Sequence, residues 1–233
     1  MPRYDGNGSA TAVNVLAICA HPDDETLGCG GTLLKHGERG DAIFWLITTV
    51  CHEPQWSASL IARKAEEVER VAAAYGARHV KLGLPNARLD TVPVGDLMKP
   101  IERCIDDIRP EVVYVVSGGD IHTDHLAVFN ASMSVLKPFY MQRRGVRRVL
   151  GYETLSSTDA APPRSDRAFV PNVFSDITPY IDRKLEVMAL YATEVQPEPM
   201  PRSASAIRAL ARFRGSTISA EYAEAFTLIR EVF

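Results

Sequence analysis

A doubly wound α/β domain, with a mostly parallel sheet and helices on both faces, is what the order of apolar segments predicts. Three observations carry that reading. Short apolar runs rich in branched residues alternate with segments of helical spacing. Gly or Pro marks several of the junctions between them. The chain of 233 residues is long enough for one substantial core and short for two.

Residues 1–11 are polar and contain Gly and Ser, and read as a flexible N-terminal arm. Val13–Cys19 is a buried strand, and Thr26–His36 a helix that stops at Gly37. Ala42–Val50 is the second strand, and Ser57–Tyr75 a helix ending at Gly76. His79–Leu82 is a short third strand, followed by a helix over Val94–Ile108 that stops before Pro110. Glu111–Val116 is the fourth strand, His125–Leu136 a helix and Arg148–Glu153 the fifth strand. Strands alternating with helices imply parallel pairing, hence a Rossmann-like sheet.

After Glu153 the rhythm changes. Residues 156–175 hold Pro162, Pro163 and Pro171 and read as a long loop. Phe169–Ile177 is read as a further strand, and Pro179–Ala192, Arg202–Arg214 and Ala220–Phe226 as helical. No linker or repeat divides the chain. Residues 12–233 are therefore read as a single domain, with 156–200 its variable, substrate-side part.

The bulk numbers narrow the function. The apolar fraction is 46%, the charged fraction 24%, and the formal net charge −3 from 26 basic and 29 acidic side chains. That balance calls for neither nucleic acid nor an anionic membrane as partner. Arg143, Arg144, Arg147 and Arg148 read as a solvated helix end. The four cysteines (Cys19, Cys29, Cys51 and Cys104) contain no C-x-x-C pair, so neither a structural zinc site nor a disulfide framework is expected. The apolar run Ala12 to Ile18 is too short to span a membrane and has no cleavage site after it. The compartment expected is the cytoplasm.

Two segments carry chemistry. The first, AHPDDETLGCGGTL at residues 20–33, sits where the first strand gives way to a helix and brings together His21, Asp23, Asp24 and Glu25. Clustered carboxylates repel one another unless a cation offsets them. The second, GGDIHTDHLAV at residues 118–128, follows the fourth strand and adds Asp120, His122, Asp124 and His125. In an open parallel sheet, loops at the C-terminal strand ends line the ligand crevice, and the two loops can face each other at the switch point. Two imidazoles and one carboxylate, with a position open to water, form a catalytic rather than a structural zinc pattern. The same donors also suit non-haem iron(II). Gly28, Gly30 and Gly31 are not a dinucleotide fingerprint, because Leu33 stands where the last glycine is needed. They are read as letting the helix pack closely on the sheet.

The two motifs together resemble the zinc-dependent N-deacetylases of the LmbE/PIG-L-like family, which remove acetyl groups from N-acetylglucosaminyl conjugates and related amides. Arg63 with Glu66, and Arg214-Gly215 followed by Glu221 to Phe226, resemble further signatures of that family. The resemblance implies that His21, Asp24 and His125 ligate Zn2+ and that Asp23 is the general base for zinc-activated water. It implies that His122 stabilises the oxyanion or protonates the leaving amine, and that Asp124 holds a histidine in its working tautomer. Arg63 would contact sugar hydroxyls. Assembly into homo-oligomers is implied as well. The substrate expected is a small-molecule N-acetyl sugar or glycoconjugate.

Plainer roles compete at several positions. Asp124 could be a helix cap, and Asp120 a turn residue. Glu25 is read as supporting its loop, and Trp45 as core. His36, His52 and His79 are read as structural or surface residues, with His52 able to reach the pocket. Trp56 follows a strand-end loop and is a candidate sugar-stacking residue. Two whole-protein alternatives stand beside deacetylation: an N-acyl amidase acting on a natural product, and a non-catalytic, metal-dependent sugar-binding protein.

Overall fold

The computed structural model describes residues 11–162 and 164–233. Its sheet is laid out around β1 (Asn14–Cys19), whose residues Val15 to Cys19 are all fully buried. β1 pairs in parallel with β2 (Ala42–Val50) on one side and with β4 (Val112–Val116) on the other. β3 (Arg78–Pro85) lies parallel beyond β2, and β5 (Arg148–Tyr152) parallel beyond β4. Two antiparallel strands, β7 (Ala223–Glu231) and β6 (Val173–Asp176), complete the order β3-β2-β1-β4-β5-β7-β6. The helices are α1 (Asp24–Glu38), α2 (Ala58–Tyr75), α3 (Val94–Ile108), α4 (Thr123–Val135), α5 (Pro138–Arg144), α6 (Ile181–Met188) and α7 (Ala204–Ser216). α1 packs against α2 and α6, while α3 packs on α4. The doubly wound, mostly parallel α/β fold read from the sequence is the one observed.

Register explains where the chemistry gathers. Ile18 of β1 lies opposite Val115 of β4. The loops that begin two residues later on each strand therefore leave the sheet side by side. The chain runs outward from β1 through β2 to β3 and then returns to β4 on the other side of β1, which opens a crevice between the two loops.

Several expectations need correction. Ala220–Phe226 is not a helix. Ala223–Glu231 is β7, hydrogen-bonded to β5 and β6, with Ala223 to Phe226 buried. Ala and Glu favour helix locally, but burial between two strands overrides that preference. The helix expected over Pro179–Ala192 is a short 3-10 turn, Thr178–Tyr180, leading into α6, which ends at Met188. α7 starts at Ala204, where the Ser203 hydroxyl accepts from the Ala206 amide. The strand expected over Phe169–Ile177 is the shorter β6, and β3 is longer than expected. Arg144 does end a helix, but it is not solvated: its guanidinium bridges Glu102 and Asp106 of α3. The arm expected at residues 1–11 lies outside the described residues except for Thr11. No helix among the described residues is long and apolar enough to cross a membrane.

The glycines of the first motif do pack closely. A Cβ on Gly28 would stand 2.1 Å from the Tyr152 ring, and one on Gly31 would stand 2.9 Å from Ile177. Between them α1 kinks at Cys29, whose φ/ψ of −139°/15° is not helical. The kink frees backbone groups, and two buried side chains reclaim them. Glu224 of β7 accepts from the amides of Gly31 (2.8 Å) and Thr32 (2.7 Å). Lys184 of α6 donates to the carbonyl of Leu27 at 2.8 Å and to Glu224 at 2.7 Å. The Thr32 hydroxyl completes the set on Glu224. In effect the second half of α1 begins on a carboxylate, as helix N-termini favour.

Candidate metal centre

The loop after β1 is folded by its own acids. Asp24 Oδ2 accepts from the amides of Ala20 (3.0 Å) and His21 (2.8 Å), turning the chain back on itself. Asp23 takes φ 110°, a left-handed value that is costly outside glycine. Its amide is held by the fully buried Glu25, 3.3 Å away, whose other oxygen accepts from the hydroxyls of Thr26 and Tyr191. Glu25 thus supports the loop. Burial pushes its carboxyl up to about 7, against the pull of those hydroxyl donors.

Two imidazoles meet across the crevice, each gripped from behind. His21 Nε2 lies 3.0 Å from Asp124 Oδ2, and His125 Nδ1 lies 2.9 Å from Asp120 Oδ2. A carboxylate accepts only, so each of these nitrogens carries its proton outward. The inner nitrogens, His21 Nδ1 and His125 Nε2, are left facing each other at 3.2 Å, and both would offer lone pairs to an ion once His125 gives up its inner proton. Asp24 completes the set, with Oδ1 3.3 Å from His125 Nε2 and Oδ2 3.8 Å from His21 Nδ1. Two nitrogens bound tetrahedrally to zinc at 2.0–2.1 Å stand about 3.3 Å apart. The donor set therefore fits zinc in both chemistry and spacing. Burial would raise the Asp24 carboxyl, but His125 and His21 hold it well below the usual carboxylate range. Burial would lower His125, yet Asp24 and Asp120 outweigh it and raise it to about 10.

His122 brings a third imidazole, with a ring nitrogen within 4.8 Å of those of His21 and His125. It caps α4: its Nδ1 accepts from the Asp124 amide at 3.2 Å, which leaves its Nε2 as the proton-bearing atom of the neutral ring. Burial and the neighbouring imidazoles lower its pKa. Asp124 is accordingly not the cap. It also accepts from the amides of Ala87 (2.6 Å) and Leu89 (3.0 Å), fastening the segment after β3 to the site.

Two further residues complete the centre: Asp120, which the sequence places in the second motif as a turn residue, and Arg202, which carries no motif. Asp120 accepts from the His122 amide with one oxygen and from His125 and the Thr158 hydroxyl with the other. Its place two residues before His122, in a turn leaving a buried strand, was the available signal. Arg202 sends Nη1 to Asp23 Oδ2 at 3.1 Å and to Glu194 Oε2 at 3.2 Å, and Glu194 also binds Lys64. The sequence marks Arg202 only as the start of an expected helix, and Glu194 not at all. The Asp23 carboxyl is pushed up to about 8 by burial and by Asp24, with Arg202 opposing.

These groups open into a cavity of about 660 Å³, which Trp56 and His52 also line. Arg63 does not line it. Its guanidinium is 57% exposed and pairs with Glu67, while Lys64, one position further along α2, faces the cavity. Glu66 is exposed as well. The face of α2 that meets the site is thus one residue out of step with the expected pair. The buried residue is Glu67, which fastens the segment carrying Glu194 and Arg202 by accepting from the Thr193 amide at 3.1 Å.

Residues 16–136, just over half of the chain, match the family described as PIG-L, GlcNAc-PI de-N-acetylase. The chain belongs to the PIG-L family. Within it, the uncharacterized deacetylase YaiS of Escherichia coli is 29% identical over 170 residues, covering 70% of this chain and 81% of that protein. The probable N-acetyl-alpha-D-glucosaminyl L-malate deacetylase 2 of Bacillus anthracis is 22% identical, covering 78% of this chain and 81% of its own length. The solved N,N'-diacetylchitobiose deacetylase of Pyrococcus horikoshii superposes with a TM-score of 0.73 at 20% identity, covering 94% of this chain and 84% of that one. The last of these is a likeness of fold. The PIG-L match takes in all the candidate ligands and Asp23, and stops well short of Glu194 and Arg202.

Proposed function

We propose that this chain is a zinc-dependent N-deacetylase acting on an N-acetylated amino sugar or its conjugate. One observation carries the reading: two inward-facing imidazole nitrogens at 3.2 Å, a carboxylate beside them, and a second, buried carboxylate next in sequence. His21 Nδ1, His125 Nε2 and Asp24 would hold the ion. Zinc bound there supplies a water whose pKa falls toward about 7 and polarises the acyl oxygen.

The remaining work falls to the chain's own groups. Asp23 takes the proton of the attacking water, with Arg202 fixing the direction of its carboxylate. His122 Nε2–H donates a hydrogen bond to the oxygen on which charge develops, and the proton that Asp23 has taken up passes to the departing nitrogen. Asp124 and Asp120 keep His21 and His125 in the tautomers that face inward. A non-catalytic binding protein would have no use for a strained, buried carboxylate at Asp23.

The test is release of free amine from a panel of N-acetylhexosamines, sugar nucleotides and N-acetyl glycosides. Activity should vanish on chelation and return with about one zinc per chain, the stoichiometry of a single site of this type. Full activity in metal-free protein would overturn the mechanism, and no release from any compound would overturn the activity.

Asp120→Ala tests the second tautomer lock. The loss of a partner behind a metal-bound histidine weakens metal binding about 10–100-fold. Competition against a chromophoric chelator reads that loss directly. An unchanged affinity would mean that packing alone orients His125.

A further inference from the structure

The cavity has two unlike sides. One carries the histidines and acids with Thr154, Ser156 and Ser157. The other is apolar: Ile61, Ala65 and Val68 of α2 face Leu27, Ile47 and Val50. Positions 61, 65 and 68 share one face of a helix. Ala65 is exposed, Ile61 half-buried and Val68 buried. Polar groups neighbouring these carbons are engaged elsewhere: Lys81 with Glu69, Asn86 with the Cys51 sulfur and His52 with the carbonyl of Gly83. Lys64 is bound to Glu194, and the Thr49 hydroxyl donates to the carbonyl of Ala20 at 2.7 Å. A sugar hydroxyl placed here would lose its water partners and gain none. Water itself is poorly held against such a wall.

We infer that the substrate carries an apolar segment several carbons long beside its scissile amide, and that this wall receives it. The inference rests on the amide-hydrolase reading and narrows its substrate class. The segment can belong to the acyl group or to the aglycone of the amine. In either case its chemistry is an alkyl or aryl chain.

The experiment measures kcat/KM in two series. One varies the acyl chain on glucosamine from acetyl through butanoyl to hexanoyl. The other keeps N-acetylglucosamine and varies the glycoside from methyl through butyl to octyl. Burial of a methylene corresponds to about 0.8 kcal/mol, a rise of about fourfold per added CH₂ until the wall is covered. A rise in the first series assigns the wall to the acyl group, and a rise in the second to the aglycone. Flat or falling values in both overturn the inference.

Where a compound is not turned over, its Kd from calorimetry takes the place of kcat/KM. Affinity that climbs with chain length without turnover keeps the apolar wall and removes the hydrolase reading. Flat affinity in both series removes the wall. Ala65→Asp should flatten the climb, read as the ratio of long-chain to short-chain values so that any general loss of rate cancels. Ile61→Asn is the second variant if the first fails to fold. An undiminished ratio in a folded variant overturns the placement.

Discussion

Asp23→Asn protein is expected to bind zinc as the wild type does and to release amine about 10²–10⁴ times more slowly, the range that a positioned general base contributes. The substitution is mild in every respect but one. Asn tolerates positive φ better than most residues, so the turn at φ 110° survives. Its side-chain oxygen can still accept from Arg202, so the contact now 3.1 Å long has a replacement. What disappears is the ability to take up a proton. Turnover and metal content measured on one preparation separate the two effects. Wild-type turnover in the variant would place the base elsewhere, and loss of zinc together with activity would make Asp23 a ligand.

The second large effect lies in the scaffold. Lys184→Met would leave Glu224 buried with no opposite charge, and the Leu27 carbonyl at the α1 kink with no donor. Breaking a buried ion pair from one side costs about 3–5 kcal/mol. For a chain of this size that corresponds to a fall in Tm of roughly 10 °C, at 2–4 °C per kcal/mol. Adding Glu224→Gln to Lys184→Met should return part of the loss, because the stranded charge is gone while one of the Gly31 and Thr32 amides keeps an acceptor. A Tm within 2 °C of wild type for Lys184→Met alone would show that the kink is held by packing rather than by this network.

Much of this was legible in the sequence. β1, β2, α2, α3 and β4 follow from apolar period and from Gly or Pro at their ends, because those signals are local. That the six candidate residues on the two loops (His21, Asp23, Asp24, His122, Asp124 and His125) gather in one place was legible because each motif sits directly after a strand of a parallel sheet. β7 was not, since Ala223, Glu224 and Ala225 favour helix until strands on both sides bury them. Arg202 and Glu194 were not, since their place is fixed by Glu67 gripping Thr193, a contact 126 positions apart in the chain. Arg63 shows the limit of resemblance. The pattern was found one residue out of step, and only the packing of α2 decides which side chain turns inward.

The rigid grip on the outer nitrogens of His21 and His125 bears on which ion can enter. With both rings held from behind, the 3.2 Å spacing of the inner nitrogens acts as a fixed gauge. Calcium seeks six to eight oxygens at 2.3–2.6 Å, and magnesium an octahedral oxygen shell that it gives up reluctantly. Neither is served by two close nitrogens and a single carboxylate. Small, nitrogen-seeking transition ions are, and among them geometry, ligand type and supply in the cell decide together.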